Sequence, residues 1–414
     1  MAELNSNQPN GASTESTTPT LTTYTPRYID IGINLADPIF RGRYHGKSRH
    51  PDDLKAVVGR AIEVGCTKLI VTGSSFKSSR DALKLAKEFP GTVFATAGIH
   101  PCSSSIFSPS HHKHHDESQS EGEEAEHTPV CDPDPSKPIA DGDGVDLARS
   151  KHIITDLTEL IAQARSSPSP ELVAFGEFGL DYDRLHYASK EVQLHSFSVQ
   201  LALAASLEPQ LPLFLHSRAA HTDFVRLLKE AFGERLERLE KGGVVHSFTG
   251  TVEEMRELMD LGLYIGVNGC SFKTAENCAV VKKIELSRLM IETDGPWCEV
   301  RPSHEGWKYL VELEVKAKAA AAAGAAVAPG EQQKQPQQQQ QGKKKNQKKE
   351  SEVPDRYKVV KKEKWEEGAM VKGRNEPCTI ERVARIVAGI KGVPVEEVCE
   401  AAWENTVKVF GLNS

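Results

Sequence analysis

The sequence predicts an α/β protein built as one TIM-type (β/α)8 barrel with two disordered loop insertions. Three observations lead there: eight short β-type runs, helix-like segments in most of the gaps between them, and long polar stretches that cannot form a core. Regular strand–helix alternation implies parallel strands joined by right-handed crossovers, and eight such units suggest closure. A barrel of about 250 residues with insertions accounts for a 414-residue chain as well as two or three ordinary domains would.

The N-terminal residues 1–26 are rich in Ser, Thr, Asn and Pro without an apolar period, and read as a disordered tail. The barrel proper is expected over 27–414. Its strands are expected at Tyr28–Leu35, Lys68–Thr72, Val93–Ile99, Leu172–Gly176, Leu213–Leu215, Gly243–His246, Leu263–Val267 and Arg288–Glu292. Helical spacing is clear between Ala188 and Leu207 and between Phe224 and Phe232. Two stretches interrupt the pattern. Residues 103–146 are acidic, with His and Pro clusters, and 314–352 run from an Ala/Lys tract into Gln and Lys. Both read as disordered insertions leaving from strand ends, hence from the catalytic face. After the second, Pro377 opens a helix with Ile380, Val383, Ala384, Val387 and Ile390 on one face, stopped by Gly392 and Pro394. A last helix follows from Val395 to Phe410.

Charge is unevenly spread. The formal net charge is -7, yet residues 103–146 hold 11 acidic residues against Lys113 and Lys137. The rest of the chain is therefore near +2, which neither excludes nor demands a polyanionic partner. Eight cysteines without a CxxC pair suit a reducing compartment. No apolar leader and no membrane-length apolar run is present. A soluble intracellular protein of the nucleus or cytoplasm is expected, with no membrane partner. Lys343–Lys345 with Lys348 and Lys349 read either as a nuclear-import patch or as a solvated linker.

Four ionisable residues fall at or just after strand ends: Glu177, His216, His246 and Asp294. In a (β/α)8 barrel those ends form the active-site mouth. Four separate strands then aim two carboxylates and two imidazoles into one cup. Singly, each His is more often a hydrogen-bonded core residue. Together, the four are costly to bury unless a divalent ion satisfies them. Oxygen and imidazole ligands without sulfur suit Mg, Mn, Zn or Fe.

The residues around these four resemble the TatD family of metal-dependent nucleases. The resemblance rests on Gly176-Glu177-Phe178-Gly179-Leu180-Asp181, on His216-Ser217-Arg218-Ala219-Ala220-His221, on His246-Ser247-Phe248-Thr249-Gly250 and on Glu292-Thr293-Asp294-Gly295-Pro296. Gly98-Ile99-His100-Pro101 and Arg374-Asn375-Glu376-Pro377 fit the same pattern. It implies Glu177, His216, His246 and Asp294 as metal ligands, with Asp294 and Glu177 catalytic. Many members carry His-x-His at the end of the first strand. Here Gly32 and Asn34 take those two places, as in the namesake branch. Losing two imidazoles leaves a harder site and tilts the ion toward Mg, with Mn or Zn as alternatives and one or two ions bound. Asp294 is the candidate proton acceptor.

Arg218, His100 and Lys273 are candidate substrate contacts, with a surface or structural role as an equal reading of each, slightly less so for Arg218. Phe40, Tyr44 and Trp297 could stack bases, although loop aromatics more often pack on the barrel rim. His111, His112, His114 and His115 match no ligand motif and read as a flexible tract. The resemblance implies a deoxyribonuclease, expected to act 3′ to 5′ on single-stranded DNA or strand ends, and also on RNA. The alternatives are a metal-dependent hydrolase of a small ester, lactone or amide, and a non-catalytic scaffold. Retention of all four ligand residues argues against the scaffold. The oligomeric state is not legible.

Overall fold

The computed structural model describes residues 24–109, 144–167, 171–325 and 353–412. Eight parallel strands run in chain order round one sheet: β1 (Tyr28–Ile33), β2 (Cys66–Val71), β3 (Val93–Ala97), β4 (Leu172–Asp181), β5 (Leu213–Arg218), β6 (Gly243–Val245), β7 (Tyr264–Val267) and β8 (Leu289–Ile291). The ends of the sheet meet beyond the ladder. The Asp294 N–H donates to the Gly32 carbonyl and the Asn34 N–H to the Gly295 carbonyl, both at 2.8 Å.

Side-chain alternation sorts each strand between two apolar layers. Ile29, Ile31, Ile70, Ala174, Phe214, Val244, Tyr264 and Met290 fill the barrel interior. Their neighbours Leu69, Phe175, Leu213, Leu215, Val245, Ile265, Leu289 and Ile291 face the helices. The helices are α1 (Leu54–Glu63), α2 (Phe76–Glu88), α3 (Leu147–Arg165), α4 (Lys190–Ser206), α5 (His221–Phe232), α6 (Val252–Asp260), α7 (Ala275–Lys283), α8 (Trp307–Ala325), α9 (Ile380–Lys391) and α10 (Val395–Phe410). Trp403, Val409 and Phe410 of α10, with Leu412, join the interior layer and pack against it. With the charged residues gathered at the other end of the strands, this helix closes the base of the barrel.

Both expected insertions are narrower than their composition suggested. Residues 101–107 form a 3-10 helix with Ser104 and Phe107 buried, so the first part of the acidic segment belongs to the barrel. A phenylalanine with a core cavity to fill outweighs its polar neighbours. The second insertion does not leave from a strand end, because α8 intervenes and runs on through 314–325. Alanine is the strongest helix former, so the tract continues the helix beyond its packed first turns, and Glu314 anchors it through a 2.8 Å ion pair with Arg385. The tail up to residue 23, His111 to His115, and the Gln and Lys runs lie outside the described residues.

Residues 353–376 return as a strap to the first and last strands. Arg374 is wholly buried, pairing with Asp53 at 2.7 Å and with Glu376 at 2.9 Å, while Arg60 holds Glu376 at 2.8 Å. Asn375 donates to the carbonyls of Thr293 (2.9 Å) and Trp297 (2.8 Å). The Arg-Asn-Glu-Pro stretch thereby fixes the loop that carries Asp294. Among the described residues no helix is long and apolar enough to cross a membrane.

Candidate active site at the mouth of the barrel

The same alternation aims the polar residues inward where the apolar interior layer ends. On β5, Phe214 is followed two residues later by His216; on β6, Val244 by His246; beyond β8, Met290 by Glu292. On β4 the ladder to β5 slips between Phe175 and Phe178; past the slip Phe178 and Leu180 face the helices, so Glu177, Gly179 and Asp181 share the inner face. The ladder between β1 and β2 slips between Asp30 and Ile33. Past that irregularity the Asn34 side chain reaches Thr72 and Asp294.

Three imidazoles converge on one carboxylate oxygen. Glu177 Oε1 lies 2.9 Å from His246 Nε2, 3.5 Å from His100 Nε2 and 3.7 Å from His216 Nδ1. His100, Glu177 and His216 offer ligand atoms that all lie within 4.8 Å of one another, and all three are buried. Behind them stand two further carboxylates. Asp181 Oδ2 meets His216 Nε2 at 3.1 Å, and Arg184 braces that carboxylate at 2.6 Å. Glu292 Oε2 faces His246 Nδ1 at 3.4 Å, and neither of these buried atoms has a hydrogen-bond partner. Asp181 thus holds one nitrogen of His216 by a hydrogen bond, Glu292 stands at ion-pair distance from one nitrogen of His246, and the other nitrogen of each ring is directed at Glu177, as where carboxylates orient metal-binding imidazoles.

The electrostatics call for a cation. Burial would raise the Glu177 carboxyl, but His100, His246 and His216 around it hold it well below the ordinary range. Burial lowers His100 to about 3 and lowers His216 also. Burial opposes protonation of His246 too, yet Glu177 and Glu292 on its two sides outweigh that and raise it well above an ordinary imidazole. A proton held between two carboxylates is the substitute that a divalent ion would displace. The donor set of buried carboxylate and imidazole fits such an ion.

Asp294 sits beyond β8 in a left-handed conformation (φ 51°). Its Oδ1 accepts from Asn34 Nδ2 at 3.0 Å and its Oδ2 from Cys298 Sγ at 3.2 Å. Burial, followed by the neighbouring Glu292 and Glu177, raises its carboxyl well above the ordinary range. Ser247 (φ 49°) and Ala219 (φ 51°) are also left-handed, just after His246 and Arg218. Such conformations cost about 1–3 kcal/mol each and gather at functional sites.

The expected substrate contacts separate. His100 joins the cluster itself. Arg218 stays at the rim, its Nε donating to Asp183 at 2.8 Å, so a phosphate would share the guanidinium with that carboxylate. Lys273 is half-buried at the C-cap of the 3-10 turn Gly269–Phe272. Phe40 is wholly buried beneath the Arg374 guanidinium and Tyr44 is 9% exposed, so both pack the rim and offer no face for a base. Trp297 is half-buried. Asp181 and Glu292 escaped the sequence reading. The signal was present: each lies an even number of residues from a chosen inward residue, Asp181 from Glu177 and Glu292 from Asp294.

A model of TatD-related DNases matches residues 29–411. The chain belongs to that family. It is similar to a deoxyribonuclease Tat-D of Schizosaccharomyces pombe, 39% identical over 385 residues that cover 93% of this chain and 96% of the relative. A bacterial relative from Erwinia tasmaniensis, called a 3′-5′ ssDNA/RNA exonuclease TatD, is 32% identical over 272 residues, 65% of this chain and 80% of its own length. Among solved structures, an uncharacterised amidohydrolase of Saccharomyces cerevisiae superposes with a TM-score of 0.70 at 31% identity, covering 93% of this chain and all of that one. As a TatD-family protein the chain is a metal-dependent hydrolase acting on phosphodiester bonds. The barrel follows the family, and the buried His/Glu cluster lies at the strand ends where barrel enzymes of this kind work.

Proposed function

We propose that this protein is a divalent-metal-dependent deoxyribonuclease that removes nucleotides 3′ to 5′ from single-stranded DNA or strand ends, with RNA as a second substrate. The observation that carries the site assignment is the convergence of three imidazoles on Glu177 Oε1, with two of those rings oriented by Asp181 and Glu292. Glu177, His216, His246 and Asp294 would hold the ion, Mg before Mn or Zn, with His100 as a further nitrogen beside it. A bound divalent ion supplies Lewis acidity toward a phosphoryl oxygen and an attacking water. Asp294 accepts the proton of the attacking water, from its place beyond β8 with both carboxylate oxygens held by neighbours. Asn34 and Cys298 aim its two oxygens. Arg218 holds a phosphate at the rim and His100 faces the leaving group. An enzyme of the nucleus or cytoplasm fits such a substrate.

The test is a time course on 3′- and 5′-end-labelled single- and double-stranded DNA, and on RNA, with Mg, Mn or Zn or with chelator. Stepwise loss from the 3′ end of single strands with added metal is expected. Turnover of generic esters or lactones with no attack on oligonucleotides would put the small-molecule reading in its place.

A further inference from the structure

Beside the mouth lies a second feature that phosphodiester cleavage does not account for. The strap and the loop after β1 enclose a pocket of about 310 Å³ lined by Ile39, Tyr44, Lys361, Lys362, Lys372 and Arg374, among others. Its charge is lopsided. Arg374 is neutralised by Asp53 and Glu376, and Glu363 is an acidic residue in the lining. Lys361 and Lys372 are exposed and Lys362 lies over the Tyr44 ring at 4.9 Å; none of the three makes an ion pair among the described residues. Three lysines around one concavity repel one another unless an anion lies between them.

The pocket's position ties it to the active site. Arg374, in its wall, precedes Asn375, which grips the carbonyls of Thr293 and Trp297 on either side of Asp294. Lys372 stands three residues before Asn375 in the chain, so the lysine-lined pocket adjoins the loop that carries Asp294.

We infer that this pocket is a phosphate subsite for the same single strand whose end enters the barrel, with Lys361 and Lys372 neutralising backbone phosphates remote from the scissile bond. The inference rests on the proposed nuclease reading and deepens it. A dinucleotide has one internucleotide phosphate, the scissile one, and so offers none to these lysines, whereas a longer strand carries further phosphates that can reach them. The subsite would hold the enzyme on long substrates between successive cuts and contribute nothing to the shortest ones.

The experiment compares the full-length protein with its K361A/K372A variant. Both side chains are exposed, so the fold should not change. Binding of fluorescent oligo(dT) is followed by anisotropy in EDTA across a salt series, and metal-supported cleavage of a dinucleotide and of a long oligo(dT) is measured in parallel. Each phosphate contact on a single strand contributes about 0.7 to the slope of log K against log salt, so the variant should lose about 1.4. Its KM for the long strand should rise several-fold while its turnover of the dinucleotide stays unchanged. An unaltered slope and KM, in a wild type that does cleave DNA, overturns the subsite and leaves the nuclease reading standing. Lysine-dependent binding without metal-supported cleavage overturns the nuclease reading and keeps the subsite. A wild type that neither binds nor cleaves the strand sinks both.

Discussion

Asn34 Nδ2 donates to Asp294 Oδ1 at 3.0 Å, and the same amide's oxygen accepts from Thr72 Oγ1 at 2.7 Å. β1 and β2 thus hold the carboxylate of β8 in place, from a position where many members of the family carry an imidazole. Replacing Asn34 with Ala removes both hydrogen bonds, but only the one to Asp294 bears on the carboxylate; at about 0.5–1.5 kcal/mol its loss should lower kcat about 2- to 10-fold. Asp294→Asn should cost at least ~10²-fold, since it removes both a negative ligand and the proton acceptor. Steady-state kinetics on both, after circular dichroism, separates the roles. Equal losses would make Asn34 a ligand in its own right.

Removing metal should abolish turnover and also lower the melting temperature. A ligand that binds only the folded state stabilises it, by about 2.7 kcal/mol at a hundred times its Kd. Chelator-treated protein should melt lower and recover on adding Mg or Mn, and His246→Ala should blunt that recovery. Full nuclease activity in protein shown to be free of metal would contradict the site assignment.

The inward residues were legible because strand period and barrel topology are both written in the sequence. Val244 and His246, or Phe214 and His216, need only alternation to be placed on one face. What alternation could not give was contact across the barrel. Glu292 reaches the place where a side chain at Gly32 would stand, and Arg218 turns to Asp183. Those depend on which neighbour is small and which is charged, 260 residues away in one case and 35 in the other. Nor could composition tell helix from linker in the Ala/Lys tract of α8, where propensity decides.

The Gly32–Glu292 relationship gives its own prediction. A Cβ at position 32 would collide with Glu292 Oε2, and Phe214 stands at 3.3 Å. Gly32→Ala should therefore push Glu292 off His246 and cost about 1–3 kcal/mol of stability, the usual penalty of overpacking. Activity should fall with it. In an E292A background the same change should cost much less, because the clash has gone. A double-mutant cycle by urea unfolding reads the coupling, and strict additivity would mean that Glu292 does not occupy that space.

The buried network around Arg374 should be the most sensitive place in the strap. Arg374→Ala leaves Asp53 and Glu376 as buried carboxylates with one cation, Arg60, between them. Breaking a buried pair from one side costs about 3–5 kcal/mol. The midpoint of urea unfolding should drop accordingly. Arg374→Lys should recover only part of the loss, because an ammonium cannot reproduce the fork that meets both Asp53 oxygens at 2.8 and 2.7 Å.

Deleting residues 110–143 should leave folding and metal-supported turnover intact. The two ends of that segment are already joined: the Asp146 N–H donates to the Phe107 carbonyl at 2.9 Å, and Asp146 then caps α3 by accepting from the Arg149 N–H at 3.0 Å. A short Gly/Ser turn can bridge Pro109 to Gly144 without disturbing either contact. Loop-closure entropy changes slowly with length, so the shorter connection should stabilise the protein slightly rather than strain it. The cut must spare 103–109, because Phe107 is wholly buried in the layer between strands and helices. Removing it as well should cost about 3–5 kcal/mol, as for other buried phenylalanines. Thermal melts and cleavage rates of the two deletions, Δ110–143 and Δ103–143, measure the difference. A collapse of the shorter deletion would show that the acidic segment carries part of the barrel's stability, and that its composition misled.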